Sequence, residues 1–238
     1  MMERKLTRRN VLGVAGTLAL AGSPVLVKGQ ANNNTPGAKP VLILGISCSP
    51  RKGKTTATAV KAALDAAKEV DSRIEVDLLD LGGLDISGWG GGAKPPEGGQ
   101  IKDDFDLMLP KLEDADLAGL IIGSPVYFRS MSALCKAFLE RCSVLRKPKL
   151  VLADKPVGVL AVGAFRNGGQ ELVIEQIQAA LLCHEVMILG GKPAAHQGAT
   201  LWNFAEDDIT KDEFGMDTAR KLGIRVAEAA LRLAPKQG

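Results

Sequence analysis

The stretch GISCSPRKGKTT, residues 45–56, gathers the hydroxyls of Ser49, Thr55 and Thr56 with the cations Arg51 and Lys54 around Gly53. It follows the apolar run PVLIL and precedes the helical pattern ATAVKAALDAAKEV, so it reads as strand, loop, helix. Hydroxyls, backbone amides and a helix N-terminus are the groups that bind a phosphate dianion, and the cations strengthen that binding. Counted from Cys48, the stretch is C-x-x-x-x-G-K-T, which differs from the nucleotide P-loop in having Cys where the first Gly belongs. Spacing alone leaves the phosphate ligand open between a nucleoside triphosphate and another phosphoester. A plain helix cap is the ordinary alternative for a Ser- and Gly-rich turn.

Two further stretches have chemical capacity of a different kind. GSPVYFRSMSA, residues 123–133, places Pro125 and the aromatic pair Tyr127 and Phe128 after an apolar run, with Ser130 and Ser132 available to cap a helix. A flat ring could lie there, although a lone aromatic pair more often serves packing. GAFRNGGQE, residues 163–171, offers Gly168 and Gly169 for close backbone approach, and the polar groups of Arg166, Asn167 and Gln170 for the oxygen and nitrogen edge of a heterocycle.

The elements that must position these loops are legible from apolar patterning. Five short runs, beginning at Val41, Ile74, Leu117, Pro156 and Glu185, alternate with helical patterns over about 55–69, 101–113, 130–145, 169–183 and 214–233. That alternation predicts an α/β fold with a doubly wound, five-stranded parallel sheet and helices on both faces. In the strand order 2-1-3-4-5, the loops after strands one, three and four converge on one crevice at the carboxyl edge, where such sheets bind ligands. Asp80, near the end of the second strand, falls outside that crevice.

Other groups read as structural. Cys135 and Cys142 are seven residues apart on a helical segment, about 10 Å along its axis, too far for a disulfide, and no C-x-x-C occurs. Buried structural thiols are expected for all four cysteines. His184 and His196 have no spacing that suggests a metal site or a catalytic triad. AEDDITKDE, residues 205–213, reads as a solvated acidic loop. Residues 82–100 hold eight glycines and two prolines, which excludes a helix or an interior strand.

A chain of 238 residues fits one substantial α/β domain. Its formal charge of +3 comes from the start: beyond residue 31 there remain 25 basic and 26 acidic groups. A body so close to neutral gives no footing for a nucleic-acid partner. Residues 1–31 have a charged start, an apolar stretch from Val11 to about Leu20 and small residues near Ala31, the pattern of a signal peptide rather than a membrane span. The pair Arg8 and Arg9 just before the apolar stretch resembles a twin-arginine export signal. The expected organisation is a signal over 1–31, a flexible lead-in over 32–39 and a ligand-binding domain over 40–234.

Taken together, SPRKGKTT, IIGSPVYFRSMSALCKAFLER and GAFRNGGQE resemble the NADPH-dependent FMN reductase family of flavodoxin-like proteins, especially its iron-sulfur flavoprotein branch. The resemblance spans roughly Lys39 to Leu233. It implies that Ser49, Arg51, Lys54, Thr55 and Thr56 hold an FMN phosphate and that Pro125, Val126, Tyr127 and Phe128 border the isoalloxazine. Gly163, Ala164, Phe165, Arg166, Asn167, Gly168 and Gly169 would line its other edge. No side chain is assigned as catalytic, because the flavin carries the electron chemistry. The cysteines that hold a cluster in the iron-sulfur branch are missing from SGWGGGAKPPEGGQ, so no iron-sulfur cluster is expected.

This resemblance decides the phosphate question for FMN over a nucleoside triphosphate. It implies an FMN-dependent oxidoreductase with NAD(P)H as co-substrate, and the twin-arginine pattern places it in the periplasm or otherwise outside the cytoplasm, where a redox protein or membrane quinol is the alternative donor. The expected partners are a small-molecule electron donor and acceptor, the membrane only during export, and a second copy in a homodimer or homotetramer. The competing expectation is a flavodoxin-like electron carrier without small-substrate turnover. Such carriers are usually strongly acidic, and this body is near neutral.

Overall fold

The computed structural model describes residues 39–90, 103–204 and 206–234. The segment expected to be an export signal, the lead-in as far as residue 38 and residues 91–100 of the glycine-rich segment lie outside the described residues.

Strands β1 (Val41–Ser47), β2 (Ile74–Asp80), β3 (Leu117–Pro125), β4 (Pro156–Gly163) and β5 (Met187–Leu189) pair in parallel in the order β2-β1-β3-β4-β5. β1, β3 and β4 are interior strands and nearly every residue in them is buried, as their unbroken apolar runs require. β2 lies at an edge and is only half-buried, which matches its alternation of acidic and apolar residues. Helices α1 (Thr55–Lys68) and α5 (Glu213–Leu233) cover one face; α3 (Ala133–Arg141) and α4 (Gln170–Leu181) cover the other. Alternate strand residues feed the two cores: Leu44, Ile46, Leu120 and Ile122 on the α3 and α4 side, Ile43, Ile121 and Leu160 on the α1 and α5 side. A Cβ on Gly223 of α5 would lie 1.9 Å from the Ala63 carbonyl oxygen of α1. The two helices therefore cross at backbone contact, and any side chain there would force them apart at a cost of about 1–3 kcal/mol.

Three elements depart from expectation. A sixth strand, β6 (Ala199–Trp202), pairs in parallel with Leu160–Gly163 of β4, while β5 pairs with Pro156–Gly158. One edge of β4 is thus shared by two short strands, and a four-residue ATLW run after a loop carries too little periodicity to announce itself. The segment before β3 is a 3₁₀ turn (Asp104–Met108) and the four-residue helix α2 (Leu109–Leu112) rather than one longer helix. α3 begins at Ala133, three residues later than its pattern suggests, because Ser132 caps it by accepting from the Cys135 amide at 3.0 Å.

Candidate functional site

The loop between β1 and α1 is anchored from beneath. The Ser49 Oγ accepts from the Arg51 amide at 3.1 Å and is almost wholly buried. Gly53 holds φ +66, a left-handed turn that suits glycine. The carboxylate of Asp80 at the end of β2 fixes that turn, accepting from the Gly53 amide at 2.6 Å and the Gly82 amide at 3.2 Å. α1 then starts without a side-chain cap. Its first-turn hydroxyls Thr55 and Thr56 are buried, and Thr56 Oγ1 has no hydrogen-bond partner among the described residues, as is also true of Ser47 Oγ. Buried hydroxyls normally find partners. An unpartnered hydroxyl in the first turn of an uncapped helix, with Arg51 and Lys54 exposed above it, fits a ligand's phosphate oxygens.

The loop after β3 is tied to the first. Ser132 Oγ donates to the Cys48 carbonyl at 2.6 Å, and the Ser132 amide donates to Ser124 Oγ at 3.1 Å. Between them Tyr127 and Ser130 exchange both backbone hydrogen bonds around Phe128 and Arg129, whose φ values are +50 and +62. This is a tight turn of the type that glycine or asparagine usually occupies, held here by two large side chains. Phe128 is completely exposed and Tyr127 partly so, whereas Pro125 is buried and Val126 half-buried. Ser130 does not cap α3; its Oγ donates to Gln176 of α4 at 2.9 Å.

The loop after β4 is organised by a residue expected to meet a ligand. Gln170 is buried: its Nε2 donates to the carbonyls of Phe165 (2.7 Å) and Leu201 (3.2 Å), and its Oε1 accepts from the Gly168 amide (2.9 Å). Its amide is consumed in holding the turn, so the expectation that it faces a heterocycle is corrected. Ala164, Phe165, Arg166 and Asn167 are exposed on the turn, and Gly163 ends β4 buried. Gly169 has φ +104, and a Cβ there would come within 3.4 Å of the Arg129 backbone, so the second and third loops touch.

The structure brings the three loops to one edge of the sheet, and with them segments that pattern reading placed elsewhere. After β6, the Asn203 amide donates to the Gly163 carbonyl at 2.8 Å, Trp202 Nε1 donates to the Ala164 carbonyl at 3.0 Å, and Arg166 stacks over the Trp202 ring at 4.6 Å. Trp202 and Phe204 form a tilted aromatic pair with centroids 4.2 Å apart. Beyond them Arg51 Nη1 donates to both carboxylate oxygens of Asp207 at 2.9 Å, and Lys54 Nζ lies 3.8 Å from the same group. Most described residues of the acidic segment are exposed, as expected, but two of its acids have structural roles that pattern reading did not assign: Asp207 binds the first loop, and buried Asp212 caps α5 through the Gly215 amide while accepting from the Trp202 amide. Asp80 too is corrected, since it holds the first loop's turn. An acid at the carboxyl end of β2 was the only local signal for that role, and none existed for Asp207.

Among the described residues there is no disulfide and no cluster of three or more His, Cys, Asp or Glu suited to a metal. Cys48, Cys135 and Cys142 are buried, while Cys183 is exposed, which corrects the expectation for that residue. Burial pushes the Cys48 and Cys142 thiols well up, so neither is a reactive thiolate. His184 is buried with its pKa lowered by desolvation and then by Arg146; His196 is exposed.

The profile of the family described as NADPH-dependent FMN reductase matches residues 41–200. An iron-sulfur flavoprotein of Methanocaldococcus jannaschii is 40% identical over 189 residues, 78% of this chain and 95% of that protein. An iron-sulfur flavoprotein of Methanosarcina thermophila is 34% identical over 182 residues, 76% of this chain and 92% of its own length. Among solved structures, a WrbA-like flavodoxin from Agrobacterium tumefaciens superposes with a TM-score of 0.54 at 17% identity, covering 82% of this chain and 99% of that one.

Proposed function

The chain belongs to the NADPH-dependent FMN reductase family and is a flavin-dependent oxidoreductase, and on that premise we propose that it binds one FMN per chain across the three loops and passes electrons from NAD(P)H to a small acceptor such as a quinone, flavin or metal. The observation that carries this reading is the buried, unpartnered Thr56 hydroxyl in the uncapped first turn of α1, beneath Arg51 and Lys54. When bound, FMN supplies hydride acceptance and one- or two-electron transfer.

The chain's own residues bind and orient. Ser49, Arg51, Lys54, Thr55 and Thr56 hold the phosphate; the backbone around Pro125–Phe128 and Gly163–Gly169 borders the ring. The cofactor reading includes no iron-sulfur cluster, supported by four cysteines none of which lies between residues 82 and 100. The proposal also includes export by the twin-arginine route, supported by Arg8 and Arg9 ahead of the apolar stretch, and self-association as a homodimer or homotetramer.

Purification followed by a visible spectrum and anaerobic addition of NADPH tests the reading. The expected result is a yellow protein with about one FMN per chain, bleached by NADPH, without stoichiometric iron or sulfide. A colourless protein that does not take up FMN would overturn it, and iron with sulfide would overturn the cluster statement. Replacing Arg8 and Arg9 with Lys should hold the folded precursor inside the cell; unchanged export would exclude the twin-arginine route.

A further inference from the structure

The mouth of the first loop carries a feature that phosphate binding does not require. Asp207 presents its carboxylate to Arg51, with 2.9 Å from Nη1 to each oxygen, and to Lys54 at 3.8 Å. These are the same two cations that stand above the buried hydroxyls. Asp207 is held in place deliberately: Asn203 Nδ2 donates to its Oδ1 at 3.0 Å, and the backbone at Glu206 and Asp207 adopts φ +46 and +61. Such backbone is unfavourable for acidic residues with full side chains, although aspartate tolerates it better than most. Arg51 also holds the Asp207 carboxyl below the usual carboxylate range, so it is charged at neutral pH.

We propose that Asp207 is an internal anion that competes with the ligand's phosphate for Arg51 and Lys54, and thereby sets how strongly the site discriminates a flavin phosphate from the unphosphorylated flavin. This rests on the flavin-phosphate reading above. With the phosphate site empty, the carboxylate neutralises the two cations. A bound dianion has to share or replace that partner, and its repulsion from Asp207 lowers the gain from each contact. The chain from Asp207 through Asn203 to the Gly163 carbonyl joins this competition to the third loop, so the same segment touches both the phosphate and the ring sides of the site.

The test uses the purified chain freed of flavin, with FMN and riboflavin as probes followed by quenching of flavin fluorescence. Three proteins are compared: wild type, Asp207→Asn and Glu206→Gln. The neighbouring Glu206 pairs only with Lys211, at 3.4 Å among the described residues, so its neutralisation changes net charge equally without touching Arg51. Removing one unit charge from beside a bound dianion is expected to tighten FMN about tenfold in Asp207→Asn at low salt, an effect that shrinks as salt rises. Riboflavin should bind all three alike, and Glu206→Gln should bind FMN as wild type does.

Unchanged or weakened FMN binding in Asp207→Asn overturns the proposal while leaving the phosphate reading intact. A parallel loss of riboflavin makes Asp207 a structural strut and also overturns it. Equal tightening in Glu206→Gln overturns it in favour of a general charge effect. If the wild type binds FMN no better than riboflavin, the phosphate reading itself fails and the inference falls with it.

Discussion

At the first loop the small hydroxyl side chains are inside and the long cations are outside; at the second and third loops the backbone is inside and the aromatic rings are outside. Ser49, Thr55 and Thr56 are buried beneath exposed Arg51 and Lys54, with carboxylates on two sides, Asp80 on the Gly53 amide and Asp207 on Arg51. On the other side Gly163 is buried, Gly169 sits against Arg129, and Phe128 and Phe165 are largely exposed. A dianion is recognised by convergent charge and donors, which need anchored side chains. A flat heterocycle is recognised by shape and edge contacts, which need backbone brought close and rings free to cover it. The two ends of one site should therefore fail differently when mutated.

The largest effect is expected at Gly163. A methyl group there would lie 2.5 Å from Gln170 Nε2 and 2.7 Å from its Cδ, so Gln170 must leave. That removes the Gln170 bonds to the Phe165 and Leu201 carbonyls and to the Gly168 amide, leaving the turn held only by the Gly168 amide donating to the Phe165 carbonyl at 3.0 Å. Gly163→Ala should lose about 2–4 kcal/mol in urea unfolding and weaken FMN and riboflavin together. A wild-type unfolding midpoint would show that the third loop adapts and that the comparison overstates its rigidity.

Arg51→Ala and Thr56→Val come next and should divide the two ligands. Each removes a charge-assisted or buried contact proposed for the phosphate, so FMN should weaken roughly tenfold to a hundredfold while riboflavin stays nearly unchanged. Equal loss of both ligands would erase the distinction between the two ends.

A smaller effect of the same kind is expected at Asp80. Asp80→Ala frees the Gly53 and Gly82 amides from their acceptor. The loop should lose its fixed shape, with about 1 kcal/mol of stability and a several-fold weakening of FMN. Calorimetric melting and flavin titration on the same sample would measure both, and an unaffected loop would mean that Ser49 alone suffices to hold it.

The smallest and most diagnostic change is Phe128→Asn. Asparagine accepts the left-handed backbone that Phe128 occupies at φ +50, so stability should rise by about 0.5–1 kcal/mol. If the exposed ring borders the heterocycle, FMN and riboflavin should weaken alike by a few fold. Gain of stability with no change in either affinity would remove Phe128 from the site and confine the ring side to backbone.

The sequence by itself determined the parallel sheet and the three loops, because those follow from local quantities, while the strand order 2-1-3-4-5 came with the flavodoxin-like resemblance. Unbroken apolar runs such as VLILGI and PVGVLAV, too short for buried helices and flanked by turn residues, read as interior strands, and a doubly wound arrangement then brings the loops after β1, β3 and β4 to one edge. The hydroxyls and cations of SPRKGKTT were readable for the same reason: they are contiguous, and contiguity fixes their shared position at a helix start.

Tertiary structure alone decided the roles of Gln170, Asp80 and Asp207 and the existence of β6. Gln170 looked like a ligand group until the buried carbonyls of Phe165 and Leu201 claimed its amide. Asp207 lies 156 residues from Arg51, and nothing in either neighbourhood records the partner. An ion pair of that span forms only after β6 adds to β4 and carries the acidic segment back over the first loop. Its physical origin lies in packing between distant elements, which no periodicity encodes.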